Sequence, residues 1–291
     1  MNRTHEIAAQ SAGFLHPGQM GVSIASAAAS GGAEAFWASQ GRSAETAYRA
    51  AQSGLNDLLT VEALCKESHH VFSICPPDQA VAVAHQVAET GFEGIYTDCN
   101  AVSPVTAKQV ERIVTRQGAT YVDGGIIGPP AIEVGTTRLY LSGKSAEAVA
   151  ELFTNTNVDA RAIGCDSGAA SALKMAYAGW TKGSAALLMT QFAFARQSNV
   201  EATLLEEWAL SQPGLGDKLE HACSSSAPKA WRFVGEMLEI VESLDASGLP
   251  GSWFTGAADV YQRLDGLKNT SEPGRDKVID ALLVESDKHR S

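Results

Sequence analysis

The sequence has 291 residues, of which 45% are hydrophobic and 19% charged, and its formal net charge at pH 7 is -11. This length and composition are typical of a soluble globular protein with a full hydrophobic core and two domains. The negative charge argues against a nucleic acid or an anionic membrane as a partner, so an anionic ligand would need a local binding site.

The cysteines and the apolar segments exclude further classes of protein. The five cysteines stand far apart without a C-x-x-C pair, which argues against a disulfide framework or a metal site and predicts a reducing, cytoplasmic compartment. Residues 1–10 lack the apolar core of a signal peptide. No uncharged apolar stretch reaches the roughly 18 residues of a membrane span, so no membrane partner is expected.

The segment Gly13–Gly21, GFLHPGQMG, precedes an alanine-rich run that ends at Ser30. It predicts a strand end, a tight turn and a helix start, where unpaired amides and the helix dipole favour a phosphate. Gly18 and Gly21 match the last two glycines of the dinucleotide fingerprint G-x-G-x-x-G, whereas His16 occupies the position of the first. By itself the imperfect match leaves two interpretations open, a dinucleotide site and an ordinary strand-turn-helix unit.

Up to about Gly164, short apolar runs alternate with amphipathic stretches, a pattern typical of βαβ units and a parallel sheet. The strands predicted after the fingerprint are residues 35–38, 70–75, 94–98, 120–127, 138–142 and 159–163. The helices predicted between them begin at residue 44 and cover residues 79–89, 105–117 and 146–153, with caps at Ser43, Pro76-Pro77-Asp78, Ser103-Pro104 and Ser145. This part of the chain is predicted to be α/β.

The second strand leads into Ser39-Gln40-Gly41-Arg42-Ser43, where an NAD-dependent enzyme usually carries an acidic residue for the ribose. An arginine flanked by two hydroxyls suits a 2′-phosphate, because the guanidinium forms charge-assisted hydrogen bonds. The alternative is a solvent-exposed loop arginine. In the context of the fingerprint we favour NADP, with NAD as the other possibility.

Three later strands also end in segments suited to ligand binding, at the edge where an open α/β sheet holds its ligand. They lead into Cys75-Pro76-Pro77, into Asp98–Pro104 and into Gly124–Pro130. The last of these has three glycines and two prolines in seven residues, which predicts a rigid loop that brings backbone amides close to a ligand.

After Gly164 the pattern becomes helical. The segment 168–197 carries only two charges before Arg196, Lys174 and Lys182, which predicts a long helix buried on most faces. Lys174 either extends to solvent or lies in a polar pocket. Residues 202–284 read as further helices, the last over 276–284.

In this order the motifs resemble the β-hydroxyacid dehydrogenases related to 6-phosphogluconate dehydrogenase and 3-hydroxyisobutyrate dehydrogenase. The family fingerprint G-F-I-G-L-G-x-M-G lies over Gly13–Gly21, and the segment D-x-S-T-x-S-P over Asp98–Pro104. The segments D-A-P-V-S-G-G, G-T-L-x-x-x-x-G and G-x-x-x-x-x-K-x-x-N-N are similar to Asp123–Pro129, Gly135–Gly143 and Gly168–Ala178. The overall sequence, including His16-Pro17-Gly18 and Cys75-Pro76-Pro77, is similar to a little-characterised, phosphogluconate-dehydrogenase-like branch of this family.

The resemblance implies an N-terminal Rossmann-type domain with a doubly wound parallel sheet over residues 1–164. It also implies an all-α domain of the 6-phosphogluconate dehydrogenase C-terminal type over residues 165–291, which binds substrate and forms a homodimer. The implied function is hydride transfer between NADP and an alcohol or carbonyl carbon of a small organic molecule. The alternatives are an imine reductase of the same fold and a nucleotide-binding protein without turnover.

The resemblance places the catalytic lysine at Lys174, and Tyr177 is the rival proton donor. The family serine that binds the substrate carboxylate falls on Ile127, the two family asparagines fall on Tyr177 and Ala178, and a second lysine falls on Gly235. The predicted cofactor-binding residues are His16, Pro17, Gly18, Gln19, Met20, Gly21, Ser39, Arg42, Ser43, Cys75, Pro76, Pro77 and Asn100. The predicted substrate residues are Gly125, Ile127, Gly128, Trp231, Arg232 and Glu236.

Overall fold

The computed structural model describes residues 10–284. The chain divides into two compact units, the first up to Lys174 and the second from Met175.

An eight-stranded sheet forms the centre of the first unit. Its strands are β1 (Ser11–Phe14), β2 (Glu34–Trp37), β3 (Asn56–Asp57), β4 (His70–Ser73), β5 (Ile95–Asp98), β6 (Thr120–Ile127), β7 (Thr137–Ser142) and β8 (Val158–Ala162). Their order across the sheet is β3-β2-β1-β4-β5-β6-β7-β8. The first six strands in this order form the doubly wound arrangement of dinucleotide-binding domains, which confirms the predicted fold class.

The helices of this unit lie between the strands in the sequence, and side chains cap three of these helices. The helices are α1 (Gln19–Ser30), α2 (Ala44–Gln52), α3 (Val61–Glu67), α4 (Ala80–Ala88), α5 (Pro104–Thr115) and α6 (Ala146–Glu151). Ser43, Thr60 and Ser103 each accept a hydrogen bond from the backbone N–H three residues further on. Ser145 makes no such bond, so the cap predicted there is wrong although α6 begins at the predicted residue.

The strands predicted after the fingerprint are all present, and β6 has the predicted bounds. The direction of two strands is a correction, because β7 runs antiparallel to β6 and β8 runs parallel to β7, whereas the pattern predicted a parallel sheet. The connection between β6 and β7, residues 128–136, contains no helix, and a parallel strand would require a longer crossover. The two-residue strand β3 and the helix α3 were not predicted.

Both faces of the sheet are covered by helices, as a parallel sheet requires. One face packs against α1 and α6, and its centre is the stacked pair Phe14 and Phe72, whose rings are 4.9 Å apart. The other face packs against α3, α4 and α5. The helices therefore leave the carboxyl ends of the strands as the edge on which a ligand can bind.

The second unit is helical. Its elements are the end of α7 (Ala169–Ala178), a π-helical turn (Gly179–Gly183), α8 (Ser184–Gln197), α9 (Glu201–Ser211), α10 (Leu215–Ser226), α11 (Ala230–Ala246), α12 (Ser252–Arg263) and α13 (Arg275–Leu283). The predicted helix over 168–197 is present as α7, the π-helical turn and α8. Several large apolar side chains along it are exposed within the single chain: Tyr177 by 46%, Trp180 by 77%, Leu187 by 48% and Phe194 by 64%. The chain's own contacts therefore do not provide the predicted burial on most of its faces, which stays a prediction.

The π-helical turn has a packing cause. Phe254 of α12 lies against Gly179 and Gly183, and a Cβ atom at Gly183 would come within 2.7 Å of the Phe254 ring. The hydroxyl of Tyr261, also on α12, donates to the carbonyl oxygen of Lys182 at 2.7 Å. The widened turn is therefore fixed by α12, and it directs Lys182 towards α11.

Candidate functional site

The turn between β1 and α1 has the geometry of an anion site. The Gly18 N–H donates to the His16 carbonyl oxygen at 2.8 Å, and α1 then begins with Gln19, Met20 and Gly21. A Cβ atom at Gly21 would lie 2.1 Å from the His16 carbonyl oxygen, so only glycine allows this close approach. A Cβ atom at Gly18 would meet no atom within 4 Å, and the first turn of α1 carries no acidic residue. The first amides of α1 therefore face a space suited to a phosphate.

Strand pairing brings three of the predicted cofactor loops to one edge of the sheet. Phe14, the last residue of β1, pairs with Trp37 of β2 and with Phe72 of β4, and all three strands are parallel. The loops that follow them carry the turn at residues 15–18, the segment 38–43 and Cys75-Pro76-Pro77. Pro77 opens a short 3-10 turn that leads into α4.

Arg42 connects these loops. Its backbone N–H donates to the Ser39 carbonyl oxygen at 3.0 Å, and its guanidinium interacts electrostatically with His16 and Cys75. Burial lowers the pKa of Arg42, and its buried Nε atom has no hydrogen-bond partner. Among residues 10–284 no carboxylate forms an ion pair with Arg42. The guanidinium is therefore a half-buried cation available to an anionic ligand.

His16, the departure from the fingerprint, lies beside this cation. Burial and the charge of Arg42 lower the pKa of His16 to about 4, so the imidazole is neutral at pH 7. Its Nδ1 atom is buried without a hydrogen-bond partner. His16 Nδ1 and Arg42 Nε are thus two buried polar nitrogen atoms that lack a hydrogen-bond partner in this part of the structure.

Asn100 connects the loops that follow β4 and β5 through hydrogen bonds. Its Oδ1 atom accepts from the Cys75 N–H at 2.6 Å, its Nδ2 atom donates to Ser73 Oγ at 3.0 Å, and its own N–H donates to Asp98 Oδ1 at 3.0 Å. Burial raises the pKa of the Cys75 thiol to about 12, so this group is a neutral thiol at pH 7. The Asn100 side chain thus fixes the ends of β4 and β5, and its contact with the cofactor stays a prediction.

The glycine-rich segment after Asp123 differs from the rigid loop that the sequence predicted. Gly124, Gly125 and Ile127 belong to β6 and pair with β7. A Cβ atom at Gly125 would lie 2.8 Å from the carbonyl oxygen of Ala170, so this glycine allows α7 to approach the strand. The loop begins only at Gly128, whose φ of +125° favours glycine. The side chain at the family serine position, Ile127, is buried and apolar.

Lys174 is held by a backbone carbonyl group of the sheet. Its Nζ atom donates to the Ile126 carbonyl oxygen at 2.7 Å, and the residue is half-buried. Ile126 lies three residues beyond Asp123, which pairs with Asp98, the last residue of β5. The ammonium group is therefore at the carboxyl edge of the parallel strands, in the polar surroundings that were one of its two predicted environments.

The other predicted residues belong to the second unit. Tyr177 follows Lys174 by three residues on α7 and is half-exposed. On α11 the Arg232 guanidinium lies over the Trp231 ring, 4.9 Å from its centre. Glu236 forms an ion pair with Lys182, whose Nζ atom also lies 4.1 Å from the centre of the Phe233 ring.

The pairing with Lys182 was missed by the sequence analysis. The available signal was that Lys182 is the second of two charges in an otherwise neutral segment. Its partner is 54 residues away, which no local pattern reveals.

Two other kinds of feature are absent from residues 10–284. No group of three or more His, Cys, Asp or Glu side chains in this range could hold a metal ion. No helix in the same range is long and apolar enough to cross a membrane.

The sheet order and the glycine turn at the start of α1 define a dinucleotide-binding domain of the Rossmann class. The family described as the NAD binding domain of 6-phosphogluconate dehydrogenase matches residues 11–157, and the chain belongs to this family. A second family, described as a domain of unknown function (DUF1932), matches residues 195–264. The resemblance found in the sequence motifs is thereby confirmed, and a nicotinamide dinucleotide is the cofactor that the family indicates.

The similar proteins agree with this family. An uncharacterized 28.5 kDa protein in the 7S RNA 5′ region of Methanothermus fervidus is 30% identical over 199 residues, which are 68% of this chain and 73% of the relative. A solved conserved protein of unknown function, described as structurally similar to 3-hydroxyacid dehydrogenases, is 27% identical with a TM-score of 0.66. That match covers 88% of this chain and 97% of the other.

Two more distant structures share the fold. The 3-hydroxyisobutyrate dehydrogenase from Salmonella typhimurium has a TM-score of 0.69 at 13% identity, over 93% of this chain and 99% of its own. An imine reductase from Streptomyces aurantiacus has a TM-score of 0.52 at 19% identity, again over 93% and 99%. The chain thus has the fold that NAD(P)-binding hydroxyacid dehydrogenases and imine reductases use.

Proposed function

We propose that this protein is an NADP-dependent oxidoreductase that transfers a hydride between the nicotinamide and an alcohol or carbonyl carbon of a small organic molecule. The observation that carries the proposal is the place of Lys174 Nζ at the carboxyl edge of the sheet. The glycine turn and Arg42 follow strands that end at the same edge of the same unit. The proposed cofactor-binding residues and the proposed proton-transfer group thus lie at the same edge of one sheet.

The choice of NADP over NAD rests on Arg42 and its surroundings. An NAD site usually carries a carboxylate that accepts hydrogen bonds from the ribose hydroxyls. Here the nearby carboxylate, Asp57, already accepts from the backbone N–H groups of Ser39 and Leu59. The half-buried guanidinium without an ion pair favours a phosphate at this position. Ser43, which accepts from the Thr46 N–H as the cap of α2, supplies a second hydroxyl at the loop end.

Lys174 is the proposed acid and base. The bound nicotinamide supplies or accepts the hydride. When a carbonyl group is reduced, the oxygen gains a proton, which the Lys174 ammonium group donates; when an alcohol is oxidised, the Lys174 amine accepts the proton. The hydrogen bond to the Ile126 carbonyl oxygen orients Nζ for this transfer. The alternative donor is the phenol of Tyr177.

The substrate side of the site is less polar than in the family it resembles. Ile127 replaces a hydroxyl that binds a carboxylate, and Gly128 begins the adjacent loop. We propose that a substrate near Gly128 has no carboxylate at this position. Gly125 lies under α7 and Ile127 is buried, so the direct substrate contact predicted for these two residues is not favoured. The loss of the hydroxyl favours an imine as the second candidate substrate. Trp231, Arg232 and Glu236 remain proposed substrate residues of the helical part.

We further propose that residues 1–164 are the nucleotide-binding domain and that residues 165–291 bind substrate and form a homodimer. The support for the dimer is an uncharged stripe of exposed large side chains on the long helix: Tyr177, Trp180, Leu187 and Phe194. The spacing of seven between the last three places them on one side of the helix. An exposed apolar stripe of this kind is typical of a protein interface.

Leu187→Glu should convert the dimer into a monomer, because a carboxylate buried in an apolar interface without a partner is strongly unfavourable. The measurement is the molar mass by light scattering at micromolar concentration. Leu210→Glu is the matched control, since Leu210 is an exposed leucine on α9 outside the stripe. A monomeric wild-type protein, or a dimeric Leu187→Glu variant, would contradict the proposed interface.

A nucleotide-binding protein without turnover is the second candidate function, supported by the apolar residue at Ile127 and by Gly235 at the position of a family lysine. Against it stands Lys174, because a non-catalytic descendant would have little reason to retain a half-buried cation. The deciding experiment is a screen for NADPH oxidation against carbonyl compounds and imines. Turnover supports the enzyme; tight NADPH binding without turnover across the panel supports the second function.

A further inference from the structure

The start of α7 is fixed to the sheet by Asp123, a fully buried residue of β6. The Asp123 carboxylate accepts from the Ser171 N–H at 2.9 Å and from Ser171 Oγ at 2.5 Å. It also accepts from Ser142 Oγ at 3.1 Å, and Ser142 Oγ in turn accepts from the Ala170 N–H at 3.1 Å. The N–H groups of Ala170 and Ser171, near the start of α7, are therefore satisfied by side chains of β7 and β6.

These contacts explain why the residue is an aspartate. Every contact brings a donor to its oxygen atoms, which is the arrangement that a carboxylate requires. A negative group at a helix N-terminus is further stabilised by the helix dipole. Burial raises the pKa of Asp123, and the hydrogen bonds from Ser171 and Ser142 oppose that shift. Both oxygen atoms of Asp123 accept hydrogen bonds within the protein, and the side chain is fully buried. Asp123 therefore does not contact a substrate itself.

The contacts of Asp123 are the first anchor between β6 and α7, and Lys174 forms a second anchor further along the same strand and helix. Ser171 and Lys174 are three residues apart on α7, a rise of about 4.5 Å. Asp123 and Ile126 are three residues apart on β6, a distance of about 10 Å. The long Lys174 side chain spans the difference, because its Nζ atom reaches the Ile126 carbonyl oxygen at 2.7 Å.

Between the two anchors the helix touches the strand at Gly125. A Cβ atom there would lie 2.8 Å from the Ala170 carbonyl oxygen and 3.3 Å from Lys174 Cβ. The helix therefore has no room to move closer at this point, and its start is held by Asp123. Together these constraints determine where the Lys174 side chain leaves the helix.

We propose that Asp123 is a positioning residue for Lys174: by fixing the first turn of α7 it sets the place of Nζ at the Ile126 carbonyl group. The inference rests on the proposed function, in which Lys174 transfers the proton. Asp123 acts through the helix, whereas Lys174 touches the reacting groups. The competing interpretation is a helix cap that contributes to folding stability and leaves Lys174 unaffected.

The test is Asp123→Asn, which keeps the shape but turns one acceptor oxygen into an NH2 group that faces donors. The first readout is the rate at which acetic anhydride modifies Lys174 over a range of pH values, followed by mass spectrometry, with exposed Lys108 on α5 as the internal reference. Loosening of the first turn should raise the Lys174 rate by about threefold or more and leave Lys108 unchanged. This readout needs no substrate.

Ser11→Ala is the matched control. Ser11 is buried at the amino end of β1, and its Oγ atom accepts from the His69 N–H at 3.0 Å. The loss of this hydroxyl should lower the thermal midpoint without changing the modification rate of Lys174.

Ser171→Ala is a second, milder variant. It removes one donor to Asp123 and retains the Ser171 N–H bond, so it should change the Lys174 modification rate in the same direction as Asp123→Asn but by less. If Asp123→Asn does not fold, Ser171→Ala decides the question by the same readout.

The second readout is kinetic and uses a substrate from the NADPH-oxidation screen. Asp123→Asn should lower kcat by about tenfold or more with the KM for NADPH unchanged, since a displaced acid reacts more slowly. A changed Lys174 modification rate in a protein that turns over no substrate would support the positioning role and count against the proposed function. Unchanged Lys174 modification in a variant with a lowered thermal midpoint would overturn the positioning role, whether or not the enzyme is active.

Discussion

Lys174→Met should lower turnover by at least about 100-fold while NADPH still binds, because a positioned acid or base contributes about 10²- to 10⁴-fold to the rate. Methionine keeps the length and helix propensity of the side chain but has no proton to transfer. The glycine turn and Arg42 are unchanged by this substitution, so the nucleotide affinity should persist. The measurements are steady-state NADPH oxidation and NADPH binding by fluorescence.

Lys174→Arg separates two roles that the methionine variant removes together. Arginine retains a cation and can donate to the Ile126 carbonyl oxygen, but it stays protonated at all accessible pH values. If Lys174 transfers the proton, the arginine variant should be nearly as slow as the methionine variant. If Lys174 only supplies positive charge, the arginine variant should retain much of the activity.

Tyr177→Phe is the comparison for the rival donor. The phenylalanine variant removes only the phenol hydroxyl and leaves α7 and Lys174 in place. We expect its turnover to remain well above that of Lys174→Met. Near-normal turnover in Lys174→Met, together with a large loss in Tyr177→Phe, would transfer the proton-donor role to the tyrosine.

Much of the first unit could be predicted because its signals are local. A buried parallel strand is a short apolar run, and the turn after β1 depends on glycines that lie next to each other in the sequence. Gly21 illustrates this, since the close approach of the His16 carbonyl oxygen requires glycine at one defined position. The order of the runs and caps along the chain then gave the α/β class, and the resemblance to the family implied the doubly wound sheet.

The features that the sequence did not predict depend on contacts between segments that are far apart in the chain. The sequence placed Gly124 and Gly125 both in the strand over 120–127 and in the loop after it. They lie in β6, where Cys99 and Ala170 approach them too closely for a side chain. The Lys182 pair with Glu236 likewise joins residues that no sequence period relates. The long helix was predicted to be buried, and the single chain leaves part of it exposed. The sequence could not say what covers it, because an uncharged helix face looks the same whether its own chain or a second molecule covers it.

The role of Asn100 in joining two loops could not be predicted from the sequence for a different reason. Its position after β5 suggested a cofactor contact, and the structure shows that its amide group joins the β4 and β5 loops. A polar residue at a ligand-binding edge can either touch the ligand or hold the loops that do. Residue type alone does not distinguish these roles, because both use the same donors and acceptors.

Arg42→Ala should reduce the affinity for NADP by about tenfold or more and leave the affinity for NAD nearly unchanged. One set of charged hydrogen bonds is worth about 1.5 to 3 kcal/mol, which corresponds to at least about a tenfold change. His16 is neutral at pH 7 because its pKa is about 4, so Arg42 supplies the positive charge of this cluster. The effect should therefore fall on the ligand that carries the extra phosphate.

Arg49→Ala is the matched control for the loss of an arginine in the same region. Arg49 lies on α2 and already forms an ion pair with Glu45, so it is not available to a phosphate in the way that Arg42 is. Isothermal titration of NADP and NAD into the wild type and both variants gives the two affinities directly. Arg49→Ala should keep the wild-type ratio of affinities. An unchanged ratio in Arg42→Ala would show that the guanidinium does not bind the 2′-phosphate, and the choice of NADP over NAD would then have lost its structural basis.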